Sequence, residues 1–162
     1  MEKLAEVKES KIHTKGVFAT KDIPKNTCII EYVGEKITKE EGDRRVDISH
    51  DIHLKNREKA GTYLFELDNE YDIDGDTPNN DAKYINHSCN PNSEYRIIDN
   101  KIYIYSIKDI KKGEEITYNY GFSFDKDYEE FPCNCGAKNC VGYILKEEDW
   151  PKIPKKSENI KK

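Results

Sequence analysis

The chain has 162 residues, of which 35% are hydrophobic and 36% charged, with a net charge of −5. That length fits one domain with a thin core and a densely ionic surface. No apolar run approaches the roughly 20 residues of a membrane span, and the opening MEKLAEVKES lacks the apolar stretch of a secretory signal.

A soluble protein of an intracellular, reducing compartment is therefore expected, with no membrane partner. The segment 146–162 holds 6 lysines and 4 acids, which leaves 21 basic against 28 acidic residues in the rest, a net −7. An acidic body argues against a broad nucleic-acid face and suits a basic peptide partner, whose encounter it speeds.

In chain order, GVFAT and TCIIEYVGE read as short strands separated by the turn KDIPKN. Thr38 followed by Glu41 has capping-box spacing and opens a helix through about Arg45. Residues 46–61 are polar and weakly patterned, an insert. TYLFEL and EYDIDG read as strands joined around Asn69, and EYRIIDNKIYIYSI as a hairpin turning at Asp99-Asn100. KKGEE is a further turn and ITYNY a further strand. The pattern is lost after Cys140; KEEDWPKIPKKSENIKK carries Pro151 and Pro154, reads as flexible at its end, and offers Trp150 as an anchor for its first part. The expected fold class is mainly β, with few short helices. DIDGDTPNND alternates acids but lacks the sixth-position glycine and closing glutamate of a calcium loop.

The cysteines carry the strongest chemistry. Cys133, Cys135 and Cys140 lie within CNCGAKNC, and the chain holds five cysteines in all. An odd count and CxC spacing favour metal ligation over disulfides. A structural zinc takes four ligands in a tetrahedron, so a fourth must come from elsewhere. Cys28, Cys89 and the 4 histidines are the candidates. Cys28, inside TCIIEY, reads as a small buried thiol. Cys89 lies in the polar YINHSCNPNSEY.

YINHSCNPN, GEEITYNYG and CNCGAKNCVGYI, in that order, resemble the SET-domain protein lysine methyltransferases, including their cysteine-rich post-SET segment. The resemblance runs from about Ser10 to Leu145 and implies three parts: a SET domain over 1–122 with a variable insert at 46–61, a post-SET zinc segment over 123–145, and a tail over 146–162. It implies small β-sheets, a C-terminal segment threaded through a loop, and one structural zinc on Cys89, Cys133, Cys135 and Cys140. It also implies S-adenosyl-L-methionine as the methyl donor. KIHTKGVFAT resembles the family's first cofactor motif, with Thr14 in place of the first glycine and Gly16 kept. By position His13, Lys15, Gly16, Tyr63, Asn86, His87, Asn134 and Val141 would bind the cofactor.

Tyr120 matches the family's catalytic tyrosine, Tyr95 a channel tyrosine, and Tyr118 the Phe/Tyr switch position, where a tyrosine implies mainly monomethylation. Asn119 stands where the family usually has aspartate. The implied substrate is a basic peptide, a histone tail by default, lying in a groove with the insert as one wall. Acids in ELDNEYDIDGD or FDKDYEE would favour basic flanks. A histone substrate implies a nuclear or chromatin location; the chain would act as a monomer or homodimer, without direct nucleic-acid contact. The alternative is a catalytically inactive, zinc-containing peptide-binding module.

Overall fold

A computed structural model describes residues 2–55 and 63–154. Three small sheets surround one core. In the first, the strands β1 (Ala5–Glu9), β2 (Lys15–Ala19), β10 (Glu115–Tyr118) and β7 (Asn86–His87) lie in the order β1-β2-β10-β7. The second places β9 (Lys101–Ser106) between β3 (Cys28–Tyr32) and β8 (Ser93–Ile98), and the third places β6 (Tyr71–Asp74) between β4 (Glu35–Thr38) and β5 (Leu64–Glu66). No helix among the described residues is long and apolar enough to cross a membrane.

Val17, Ile104 and Ile116 are fully buried, and the core they share with Ile23, Ile85, Ile102 and Ile110 joins the sheets. Each such aliphatic side chain contributes about 1.5–3 kcal/mol by leaving water.

The hairpin forms as its sequence requires. Asp99 and Asn100 adopt φ of 51° and 59°, the left-handed conformation of a two-residue turn matched to strand twist. Ser93 through Ile98 then pair with Ser106 through Lys101 without a slip. TYLFEL and EYDIDG also pair, and the Asp68 carboxylate accepts the Glu70 and Tyr71 N–H groups, each at 2.8 Å, to close their turn.

The Thr38 hydroxyl accepts the Glu41 N–H at 3.3 Å and starts the helix α1, Lys39–Lys55. This helix passes the expected end at Arg45 and takes in much of the insert, of which 56–61 lies outside the described residues. Glu41 pairs with Arg44 and Arg45 one turn on, and no glycine or proline interrupts 46–55, so the nucleated helix propagates.

Four further expectations change. A strand at Ala5–Glu9, unforeseen in the N-terminal sequence, pairs with β2 and lays Leu4 and Val7 on the core. TCIIEYVGE is two strands in two sheets; a Cβ on Gly34 would fall 2.2 Å from the Asp74 carbonyl oxygen, so only glycine allows the crossing. Cys28 is exposed rather than buried, because a bulge between Cys28 and Ile30 turns it to the outer face beside Tyr105. The C-terminal part is anchored chiefly by Asp149, which is buried and accepts the Phe124 N–H at 2.8 Å, while Trp150 Nε1–H donates to the Leu145 carbonyl at 3.2 Å. The flexible end expected beyond residue 154 lies outside the described residues.

Candidate functional site

The site depends on one pairing. β10 runs parallel to β7, with Thr117 opposite Asn86 and Tyr118 opposite His87, so segments far apart in sequence share a rung. Tyr118, at the end of β10, and Tyr120, just beyond it, therefore stand beside the segment that ends in Cys89.

On one side of this pairing aromatic rings form a continuous series. Centroids are 5.0 Å apart from Tyr32 to Phe65, 4.8 Å from Phe65 to Tyr95, 6.0 Å from Phe65 to Tyr118 and 6.4 Å from Tyr95 to Tyr118. The series continues from Tyr118 to Tyr120 at 5.1 Å, to Phe122 at 5.8 Å and to Phe131 at 5.3 Å. Tyr118 is buried, whereas Tyr95, Phe122 and Phe131 are exposed, so the series leads from surface to interior. The Tyr120 hydroxyl donates to the Ile85 carbonyl at 2.8 Å, and the Tyr32 hydroxyl to the Tyr63 carbonyl at 2.6 Å. Burial raises the phenol pKa values of Tyr118 and Tyr120, aided for Tyr118 by the neighbouring Tyr120, Tyr32 and Tyr95, and both stay protonated at neutral pH.

The structure thus brings Tyr95, Tyr118 and Tyr120 together. It adds Tyr32, Phe65 and Phe122, which sequence reasoning left as ordinary aromatics. For Phe65 a signal existed: it sits two residues from Tyr63 in TYLFEL, on the same strand face.

The residues assigned to cofactor binding separate into two groups. Gly16, Asn86, Lys15 and Tyr63 lie around the joint of β2, β7 and the 3₁₀ turn Asp81–Tyr84. Asn86 Nδ2–H donates to the Lys15 carbonyl at 2.8 Å and to Glu115 Oε1 at 2.7 Å, and Ser10 Oγ–H also donates to Glu115, at 2.8 Å. A Cβ on Gly16 would sit 2.2 Å from that Glu115 oxygen, so the bare backbone is what admits the cluster. Lys15 Nζ stands 4.8 Å above the Tyr84 ring, which meets Tyr63 edge-on at 6.2 Å. Lys83, nearly buried, bonds Asp76 and the Thr77 carbonyl at 3.1 Å each and faces both rings; it was missed because a lysine in a polar segment gives no signal.

The other residues flank that joint in sequence or belong to the cysteine segment. His13 is exposed, with Nδ1 3.2 Å from Thr14 Oγ1, and Thr14 is absent from the residues with positive φ. Asn134 is exposed and Val141 half-buried, both on the cysteine segment. The His87 imidazole is buried and turned inward: Nδ1 accepts the Tyr120 N–H at 3.1 Å, and Nε2 lies 3.7 Å from Cys89 Sγ. Burial pushes its pKa down to about 4, so the ring is neutral at pH 7.

Cys89, Cys133, Cys135 and Cys140 converge, with all four sulfurs within 4.8 Å of one another. Cys89 Sγ is 3.9 Å from both Cys133 Sγ and Cys140 Sγ. A tetrahedron with bonds of about 2.3 Å has sulfurs about 3.8 Å apart, so the spacing fits a zinc ion. The sulfurs also receive backbone N–H groups: Cys135 from Cys89 at 3.5 Å, and Cys140 from Gly142 at 3.4 Å. These donors offset the charge that four thiolates bring to one divalent ion. Burial pushes Cys89 up to about 11; partial burial pushes the half-buried Cys135 the same way, but donors from Cys89, Ala137 and the neighbouring thiols bring it down to about 7.

Asn119 is a second tie that sequence reasoning left open. Its Oδ1 accepts the Gly121 N–H at 2.8 Å while Nδ2–H donates to the Leu145 carbonyl at 3.3 Å, linking the tyrosine strand to the C-terminal segment.

The SET domain matches residues 14–121. The chain is 42% identical over 135 residues to the human "Histone-lysine N-methyltransferase 2D", covering 81% of this chain and 2% of that protein. It is 42% identical over 142 residues to the Schizosaccharomyces pombe "Histone-lysine N-methyltransferase, H3 lysine-4 specific", covering 83% of this chain and 14% of that protein. The protein of the same name from Saccharomyces cerevisiae is 40% identical over 140 residues, covering 83% and 12%. The chain therefore spans a small part of the length of these relatives. With a match that takes in β2 through the Tyr120 loop, the chain belongs to the SET-domain family.

Proposed function

We propose that this domain is an S-adenosylmethionine-dependent protein-lysine N-methyltransferase that acts on a basic histone tail, with a bias to monomethylation. The observation that carries the reading is the ring series running through Tyr118 to Tyr120, whose hydroxyl is held on the Ile85 carbonyl. Relatives named as histone-lysine methyltransferases, two of them H3 lysine-4 specific, support histone H3 as the first substrate to try. Such a substrate would place the work at chromatin.

When bound, S-adenosylmethionine supplies an electrophilic methyl group on a sulfonium. The joint around Tyr63, Tyr84, Lys15 and Asn86 has a donor set suited to it: aromatic faces, a cation for a carboxylate, and an amide. Asn86 spends its N–H groups on Lys15 and Glu115 and so offers its carbonyl oxygen to an ammonium. His13, Gly16 and the main chain of His87 would border this site, with Asn134 and Val141 reaching it from the cysteine segment. Cys89, Cys133, Cys135 and Cys140 would hold a structural zinc, with no open position for catalysis.

The aromatic walls act on the substrate amine. A free lysine has a pKa of about 10.4, so near pH 7 about one in 2,500 is neutral and neutralising it costs roughly 4.6 kcal/mol. Walls formed by Tyr32, Phe65, Tyr95 and Tyr118 strip water from the ammonium and lower that cost. His87, Tyr118 and Tyr120 are poor proton acceptors: the imidazole faces inward and the phenols stay protonated. The proton passes to water. The Tyr118 hydroxyl occupies space that added methyl groups would need.

Incubation with labelled S-adenosylmethionine and histone H3 tests the reading. Tyr120→Phe should lower methyl incorporation by about 10²-fold or more in a chain that still folds, at a cost of about 1–3 kcal/mol as the buried Ile85 carbonyl loses its donor. Unchanged incorporation would sink the assignment, and peptide binding without any methyl transfer by the native chain would favour the inactive module. Tyr118→Phe should shift product toward di- and trimethyl-lysine; mass spectra with the same product ratio would remove the monomethyl bias.

A further inference from the structure

His87 stands between the cysteine cluster and the tyrosine loop, and its imidazole touches both. Its surroundings assign its tautomer. A backbone N–H can only donate, and Tyr120 N–H points at Nδ1 from 3.1 Å, so Nδ1 carries the lone pair and Nε2 the proton. That proton faces Cys89 Sγ across 3.7 Å, a hydrogen-bond distance for sulfur. The Tyr120 ring lies edge-on to the imidazole at a centroid distance of 5.4 Å. His87 itself is 3% exposed and cannot swing out without breaking both bonds.

We propose that His87 is a positioning residue whose two nitrogens couple metal occupancy of the cysteine cluster to the placement of Tyr120. The inference rests on the zinc reading of the cluster. With the ion present, Cys89 is a thiolate held at one point, and the N–H donor from His87 stabilises that charge. The same bond fixes the ring plane, and hence the position of the lone pair that holds the Tyr120 backbone. Loss of the ion frees Cys89, releases the imidazole and loosens the loop from Asn119 to Gly121. The zinc clasp thereby reports to the active-site tyrosine without touching it.

Two amide side chains separate the two ends. In His87→Asn the carbonyl oxygen stands near the place of Nδ1 and can accept the Tyr120 N–H, but the side chain falls short of Cys89. In His87→Gln the amide reaches the place of Nε2 and can donate to Cys89, but leaves Tyr120 without its acceptor. The full chain is first loaded with zinc and checked by elemental analysis. Zinc release to a chelator and hydrogen exchange at the Tyr120 amide are then followed, with the Ile104 amide in β9 reporting on the whole fold.

In the native chain, zinc removal should speed exchange at Tyr120 about tenfold while Ile104 stays protected. His87→Asn should release zinc about 10–100-fold faster than the native chain, and its Tyr120 amide should exchange at one rate with and without zinc, because the tie to Cys89 is cut. His87→Gln should hold zinc near the native rate and exchange Tyr120 about tenfold faster. Native behaviour of both variants in both measurements overturns the coupling, as does a Tyr120 amide indifferent to zinc removal in the native chain. A native chain that binds no zinc at all fails earlier, at the elemental analysis, and removes the metal reading together with the coupling.

Discussion

The sheet body and the cysteine segment are held together by different physics. In the body, strands pair rung by rung and isoleucines and valines from three sheets meet in one core. Residues 123–145 have the 3₁₀ turn Tyr128–Glu130, the bridge Pro132 to Tyr143, a small stack of Phe124, Tyr128 and Tyr143, the Phe131 ring against Phe122, and one fully buried aliphatic side chain, Leu145. A segment that short cannot bury enough apolar surface to order itself. Its position is set by four sulfurs and a few hydrogen bonds to the body, so its order is conditional where that of the body is not. Chemistry that needs both regions can then be switched at the weaker one.

The largest expected effect breaks this comparison at the metal. A structural zinc contributes about 10–16 kcal/mol apparent, so Cys89→Ser, which removes the only cluster ligand from the body, should leave the protein without zinc. Limited proteolysis should then cut within 123–145 while the sheet body persists as a resistant fragment. Equal resistance of both regions would mean that the segment orders without metal.

A smaller effect is expected at the second tie. Asn119→Asp keeps the acceptor for the Gly121 N–H but loses the donor to the Leu145 carbonyl, which retains Trp150 Nε1–H. The loss of one hydrogen bond should cost about 0.5–1.5 kcal/mol, read as faster proteolysis of the C-terminal segment with zinc still bound. An unchanged cleavage rate would show that Trp150 alone secures Leu145.

The smallest effect lies in the body and depends on pH. The Arg44 and Arg45 guanidinium groups hold the Glu41 carboxyl down to about 2, against an ordinary value of 4.5. A depressed folded-state pKa contributes stability above the unfolded value, and that contribution is lost as pH falls from about 4.5 toward about 2. Thermal unfolding of Glu41→Gln should therefore depend less on pH across that window than the native chain. A zinc held by the clasp would be released in acid in both proteins as thiolates protonate, so the difference between the curves isolates the carboxylate. Parallel curves would show that Arg45 is held by Glu35 and Asp74 instead.

Several elements were legible because one local rule decides them. Asp99-Asn100 supplies two residues that tolerate the left-handed turn, and Thr38 with Glu41 supplies a cap, so each was readable from a few residues. Resemblance to the family supplied Cys89 as the fourth sulfur, which spacing alone left open among the other candidates, and the structure gathers that set. Cys28 misled because burial of a strand residue depends on which face it takes, and one bulge reverses the face. TCIIEYVGE misled because its split at Gly34 answers a carbonyl of Asp74, forty residues away in sequence.

By itself the sequence determined which residues turn, which cap and which three cysteines cluster, because those properties belong to side-chain chemistry and near-neighbour geometry. Only the tertiary structure decided that Tyr118 lies opposite His87, that Phe65 and Tyr32 join the tyrosines, and that one buried imidazole touches both a thiol and the Tyr120 backbone. Those contacts arise where distant segments close on a shared core, and their partners are fixed by the packing of the whole chain rather than by any stretch of it.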